Sequence, residues 1–198
     1  MTSRGKKAAE REARRRAAAQ AQRRRRIVLV AVAAVAVAVL AFLAFGGEEV
    51  PELAAVESFD DLGGGHISEG DPTPEYNSSP ATSGRHLSTS APCGIYTEEV
   101  PDLIAVHNLE HGTIVVNYQP DLGSAQIEEL ETFARSKTSH VLVAPRADIA
   151  DPVVLTAWTR MLRLPDADLA SLEAFYDAYS RRGPEAGVAC PMAVDQAQ

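Results

Sequence analysis

Four of the five histidines in this chain of 198 residues fall between positions 66 and 111: His66, His86, His107 and His111, with Cys93 among them. Imidazole is suited both to ligating a transition metal and to moving protons near neutral pH. His107 and His111 stand at i and i+4, so a helix running through them sets both rings on one face. Three or four imidazoles suit copper or zinc. His86, His107 and His111 form the candidate set, with His66 or Cys93 as a fourth ligand. The run His107-Asn108-Leu109-Glu110-His111 also fits H-x-x-E-H, in which two histidines bind zinc and the glutamate acts as base. That peptidase pattern needs a long helix and a further downstream ligand. Here Gly112 and a β-branched run follow at once, so a metal-dependent hydrolase ranks behind simple metal or small-ligand binding. The opposing reading has the histidines hydrogen-bond an irregular loop to the rest of the domain, as buried polar groups require. Glu110 then either orients a histidine or is exposed.

Other residues of this kind point to less. Ser83 lies near His86, but no oxyanion loop accompanies them, and Thr82-Ser83-Gly84 reads as a turn with side chain to backbone hydrogen bonds. His140 opens an apolar run and reads as structural, and Trp158 as core. The chain has no glycine-rich phosphate loop and no C-x-x-C pair, which argues against nucleotide binding and thioredoxin-type chemistry. No catalytic constellation emerges.

The elements that must position these residues begin with an abrupt change of charge. Residues 1–26 hold 11 basic side chains against two acidic ones, a net +9, while the remainder holds 8 basic and 25 acidic, a net −17. Residues 27–45, from Ile27 to Phe45, follow without one polar side chain. As a helix they would be about 28 Å long, close to the hydrocarbon core of a bilayer. Arg23 to Arg26 abut one end, which by the positive-inside rule sets the basic tail in the cytoplasm and the remainder outside. A cleaved signal peptide is the rival, although its apolar core is usually shorter and nearer the start. The expected protein is therefore a single-pass membrane protein with an extracytoplasmic domain. Its tail would touch anionic lipid, and its acidic domain repels nucleic acid. Both Cys93 and Cys190 fall on the oxidising side, and their even count favours a disulfide between them over Cys93 as a metal ligand.

Residues 46–65 read as an acidic linker ending in Gly63-Gly64-Gly65, and residues 66–96 as an ordered but irregular segment rich in Pro, Ser and Thr. Asp102 is placed to cap a short helix, Leu103 to His111, ended by Gly112. Thr113–Tyr118 and His140–Ala144 are β-branched strands, with an amphipathic helix from Pro120 to Ser136 between them, a βαβ pattern. Val153–Trp158 reads as a third strand, with Met161–Leu164 continuing or pairing. Asp166 or Asp168 caps a last helix whose apolar stripe is Leu169, Leu172, Phe175, Tyr176 and Tyr179. The expected fold is α/β, with α+β as the variant: a small mixed sheet with flanking helices over residues 66–185, and a tail from 186 to 198.

The series His66, Tyr76, Pro80-x-Thr82-Ser83-Gly84-x-His86, Gly94-x-Tyr96 and Val106-His107-Asn108-Leu109-Glu110-His111-Gly112 resembles the bacterial DUF3105 family. That family is a domain of unknown function, often carried behind one N-terminal membrane helix. The resemblance implies an architecture and points to the same histidines, and implies no activity. Pro80-Ala81-Thr82 departs from the pattern, which often has two prolines before the threonine. Two functions remain: an envelope domain that binds a metal or small ligand through its histidine loop, and a structural or protein-interaction module in which the histidines fix that loop.

Overall fold

The computed structural model describes residues 53–193. The expected membrane span and basic tail lie outside the described residues. Among the described residues no helix is long and apolar enough to cross a membrane.

The βαβ pattern is present at the centre of the domain. Strand β5 (Ile114–Tyr118) pairs in parallel with β6 (Val141–Pro145), and helix α2 (Ser124–Ser136) connects them. Strands β7 (Val153–Ala157) and β8 (Arg160–Leu164) form an antiparallel hairpin, with β7 against the other side of β5. Two-residue strands close both sides: β1 (Glu57–Ser58) pairs antiparallel with β8, and β4 (Gly94–Ile95) pairs parallel with β6. The result is a mixed six-stranded sheet ordered β1-β8-β7-β5-β6-β4. A separate parallel pair joins β2 (His66–Ile67) to β3 (His86–Leu87).

Alternation along the strands divides the core into two faces. Ile114, Val116, Val141, Val143 and Leu155 pack with Leu130 and Phe133 of α2 and with Leu172 and Phe175 of α3 (Leu169–Tyr179). On the opposite face, Val115, Leu142 and Ala144 pack with Ala105 and Leu109 of α1 (Asp102–Glu110). Helices thus cover both faces, which explains why the central strands β5 and β7 are buried along their whole length.

Several local expectations are corrected. Asp102 is the first residue of α1 and makes no cap bond to it. Its carboxylate instead takes both terminal nitrogens of the buried Arg146 guanidinium, at 2.6 and 3.0 Å. Helix α2 starts at Ser124 because Gln119 to Gly123 is occupied by a turn, closed by Leu122 N–H on the Gln119 carbonyl. His140 lies outside β6 with φ of 59°, a left-handed conformation that a strand does not hold. Of the two expected caps of α3, Asp168 is the one used, accepting the Ser171 N–H at 2.9 Å, whereas Leu169 of the expected stripe is exposed. Trp158 is only partly buried, and its indole N–H donates to Asp61 at 3.1 Å.

The described part of the expected linker is built into the fold, and the tail is pinned by the disulfide expected from the sequence. Within residues 53–65, β1 joins the sheet, Phe59 packs on Met161 and Val154, and Gly63 and Gly65 accept backbone bonds from Gly84 and His86. Beyond residue 185, a disulfide joins Cys93 to Cys190, and Ala193 N–H donates to the Cys93 carbonyl at 2.8 Å. Cys93 is therefore occupied and is no metal ligand.

Candidate metal centre

Helix α1 ends beside the β2–β3 pair. Its apolar residues Ala105 and Leu109 face the sheet, which turns His107 and His111 toward β3. Gly112, with φ of 84°, ends the helix as expected: its N–H donates to Leu109 and that of Thr113 to Asn108, which satisfies two terminal carbonyls. The parallel register sets His66 directly opposite His86. Three elements far apart in sequence thus deliver four imidazoles to one place.

The rings are in mutual contact. His66 stacks on His107 with centroids 5.0 Å apart, and His86 lies edge-on to both at 5.2 and 5.1 Å. His107 and His111 are 4.5 Å apart. The gradient of exposure is steep: His66 is exposed, His107 is buried and His86 has no exposed surface.

Two rings are held by their Nδ1 atoms. His86 Nδ1–H donates to the Gly84 carbonyl and His107 Nδ1–H to the Leu87 carbonyl, each at 2.8 Å. A backbone acceptor at one imidazole nitrogen fixes the ring and leaves the other free to ligate, the usual outer support of a metal-binding histidine. The Nε2 atoms then face a carboxylate and a second imidazole nitrogen. His86 Nε2 meets Glu110 Oε2 at 3.1 Å, so a cation, proton or metal, is required between them. His107 Nε2 meets His111 Nε2, also at 3.1 Å. Ligand atoms of a tetrahedral ion with bonds near 2.0 Å lie about 3.3 Å apart, so both gaps match the spacing of adjacent ligands. Ligand atoms of His66, His86 and His107 lie within 4.8 Å of one another, as do those of His107, Glu110 and His111.

The electrostatics suit a cation. Glu110 is 6 % exposed, and its partner is a histidine rather than a lysine or arginine. Burial pushes the His111 imidazole below its ordinary range, and the neighbouring His107 adds to the effect, while Glu185 and Glu110 oppose it. A neutral imidazole is the ligating form. The C-terminal end of α1 contributes a partial negative charge.

Two contributors had no local signal. Glu185 N–H donates to the Glu110 carbonyl, which brings the Glu185 carboxylate to 3.7 Å from His111 Nε2. Gly64 runs against Glu110, where a Cβ would collide with Oε1, so the middle glycine of the triplet is packed against the site while Gly63 and Gly65 border open space. Ser83 is not a nucleophile here: its hydroxyl accepts the Leu62 N–H at 3.1 Å. His140 is structural, with Nδ1 on Ser139 and Nε2 on the Val188 carbonyl.

Neither a curated protein nor a solved structure matches this chain. The model of one family does, over residues 66–192, more than half of the chain, and that stretch contains all four clustered histidines and both cysteines. The chain therefore belongs to DUF3105, a family of proteins of unknown function.

Proposed function

We propose that this protein is a single-pass membrane protein whose extracytoplasmic domain binds a copper or zinc ion through His66, His86, His107 and His111. The observation that carries the reading is the pair of Nδ1 anchors on Gly84 and Leu87, which leaves the Nε2 atoms of His86 and His107 facing Glu110 and His111. Loop fasteners would need the same anchors, with His111 Nε2–H donating to His107 Nε2, and an ion held between these atoms displaces that proton. The membrane placement is carried by the apolar run from Ile27 to Phe45 behind four arginines.

The test is elemental analysis of the purified chain, followed by titration with copper or zinc. The expected result is about one equivalent bound, lost in His107→Ala combined with His111→Ala, with affinity falling as pH drops and protons compete for imidazole. A parent protein that binds no ion would end the metal reading. For topology, a reporter active only outside the cytoplasm is fused after Gln198 and is expected to be active; activity of a cytoplasm-only reporter there would reverse the orientation.

One observation favours a second reading. His86 is completely buried and bonded at both nitrogens, as a structural fastener between β3 and α1 would be. On that reading His86→Ala lowers the unfolding midpoint, and added metal does not raise the parent's.

A further inference from the structure

We infer that the centre holds a single ion in either of two adjacent positions that share His107, an outer one and an inner one. This rests on the metal-binding reading above and specifies how the ion sits. The outer position is formed by His66, His86 and His107, and the inner one by His107, Glu110 and His111. The two differ in donors and in access. The outer offers three imidazole nitrogens, from the exposed His66 and the buried His86 and His107, whereas the inner offers two nitrogens and one oxygen, from the buried His107 and Glu110 and the half-buried His111.

His107 belongs to both sets but has one nitrogen to give. Its Nδ1–H is committed to the Leu87 carbonyl at 2.8 Å, so only the Nε2 lone pair remains. One lone pair ligates one ion. Two ions at once would compete for the same atom, whereas one ion can keep His107 and exchange its remaining ligands. Glu110 is the partner in that exchange. Its Oε2 rests on His86 Nε2 at 3.1 Å, and an ion taken up by His86 displaces this contact and leaves the carboxylate to the inner position. The backbone explains why the outer ligand can be reached and the inner ones are fixed. His66 stands on a two-residue strand, while Glu110 is in the last turn of α1 and His111 caps that helix.

The donors also name the class of ion. Both thiols are in the disulfide, so the soft thiolates that select copper(I) are missing from the site. Imidazole with one carboxylate suits divalent ions, and Cu2+ is bound most tightly in the first-row series. A three-nitrogen position that includes the exposed His66, beside a mixed position that shares His107, is a path for an ion that enters at His66 and moves over His107.

The experiment is a Cu2+ titration of the 198-residue chain followed by electron paramagnetic resonance. One equivalent is expected, with a spectrum that is the sum of two components, one with three nitrogen donors and one with mixed nitrogen and oxygen. His66→Ala, at an exposed ring, should remove the first component and leave the second, and His111→Ala the reverse. Each should still bind one equivalent. His107→Ala should lose both components, by more than the about 10–100-fold that removal of an outer partner costs. Because that variant also loses the Leu87 bond, the His66→Ala spectrum decides by itself. Two equivalents in the parent would overturn the shared position, and so would a single component that either His66→Ala or His111→Ala abolishes. In both of those cases metal binding itself stands. A parent that binds no copper or zinc would overturn the metal reading and this inference together.

Discussion

At the scale of single residues, the centre turns on Glu110. Its carboxylate is buried, has a histidine as partner, and has Gly64 packed against its second oxygen. A carboxylate in that setting supports the ligand beside it and offsets the charge of an ion. Glu110→Gln keeps the size and one acceptor oxygen but removes the charge. Copper or zinc affinity, measured by competition with a coloured chelator, should fall by about 10–100-fold, while the fold is retained. An unchanged affinity would set Glu110 outside the centre. The residue types were legible from the start: four imidazoles with an i, i+4 pair among them. Their partners were not. No pattern in a chain says that a distant carboxylate such as Glu185 will reach His111, because a backbone bond from Glu185 to Glu110 creates that contact only after folding.

At the scale of elements, α1 is the part on which the site depends. It is nine residues long, so its end must be well defined if His107 and His111 are to keep their direction. Gly112 defines it, with φ of 84° and its Cα against the backbone of Arg181. A left-handed conformation costs an ordinary residue about 1–2 kcal/mol, and a Cβ here also meets that neighbouring backbone. Gly112→Ala should therefore destabilise the domain by at least about 1 kcal/mol, read from the urea midpoint at constant m-value. Helix α1, strands β5 to β8 and the cap of α3 were all readable, because each carries its own periodicity or end signal. Strands β1 to β4 were not. Each has two residues, shows no period, and exists only because a distant partner supplies the hydrogen bonds. His66 and His86 stand on two of these strands, which is why the ligand set could be named in sequence but the pairing that sets His66 opposite His86 could not.

At the scale of the whole molecule, the disulfide ties the C-terminal segment to the loop before β4. It links Cys93, beside β4, to Cys190, across 97 residues. In the chain-entropy view, a loop of that size removes up to about 4.7 kcal/mol of freedom from the unfolded chain. Replacing both cysteines by serine should cost about 2–5 kcal/mol of stability in thermal or denaturant unfolding. Metal affinity should change far less, since neither sulfur reaches the histidines; an equal loss of both would mean that the bond shapes the centre directly.

The sheet's margins have a further consequence. Only two residues of β8 are paired by β1, and only two of β6 by β4. On the β8 side, Arg163 is held between Glu57 and Asp151, which sets three charged groups along the open part of that margin. A foreign strand seeking backbone partners there meets a short, charged and interrupted template, the kind that discourages annealing of one chain onto another. Two copies of this domain brought side by side therefore find little free backbone to share along these margins.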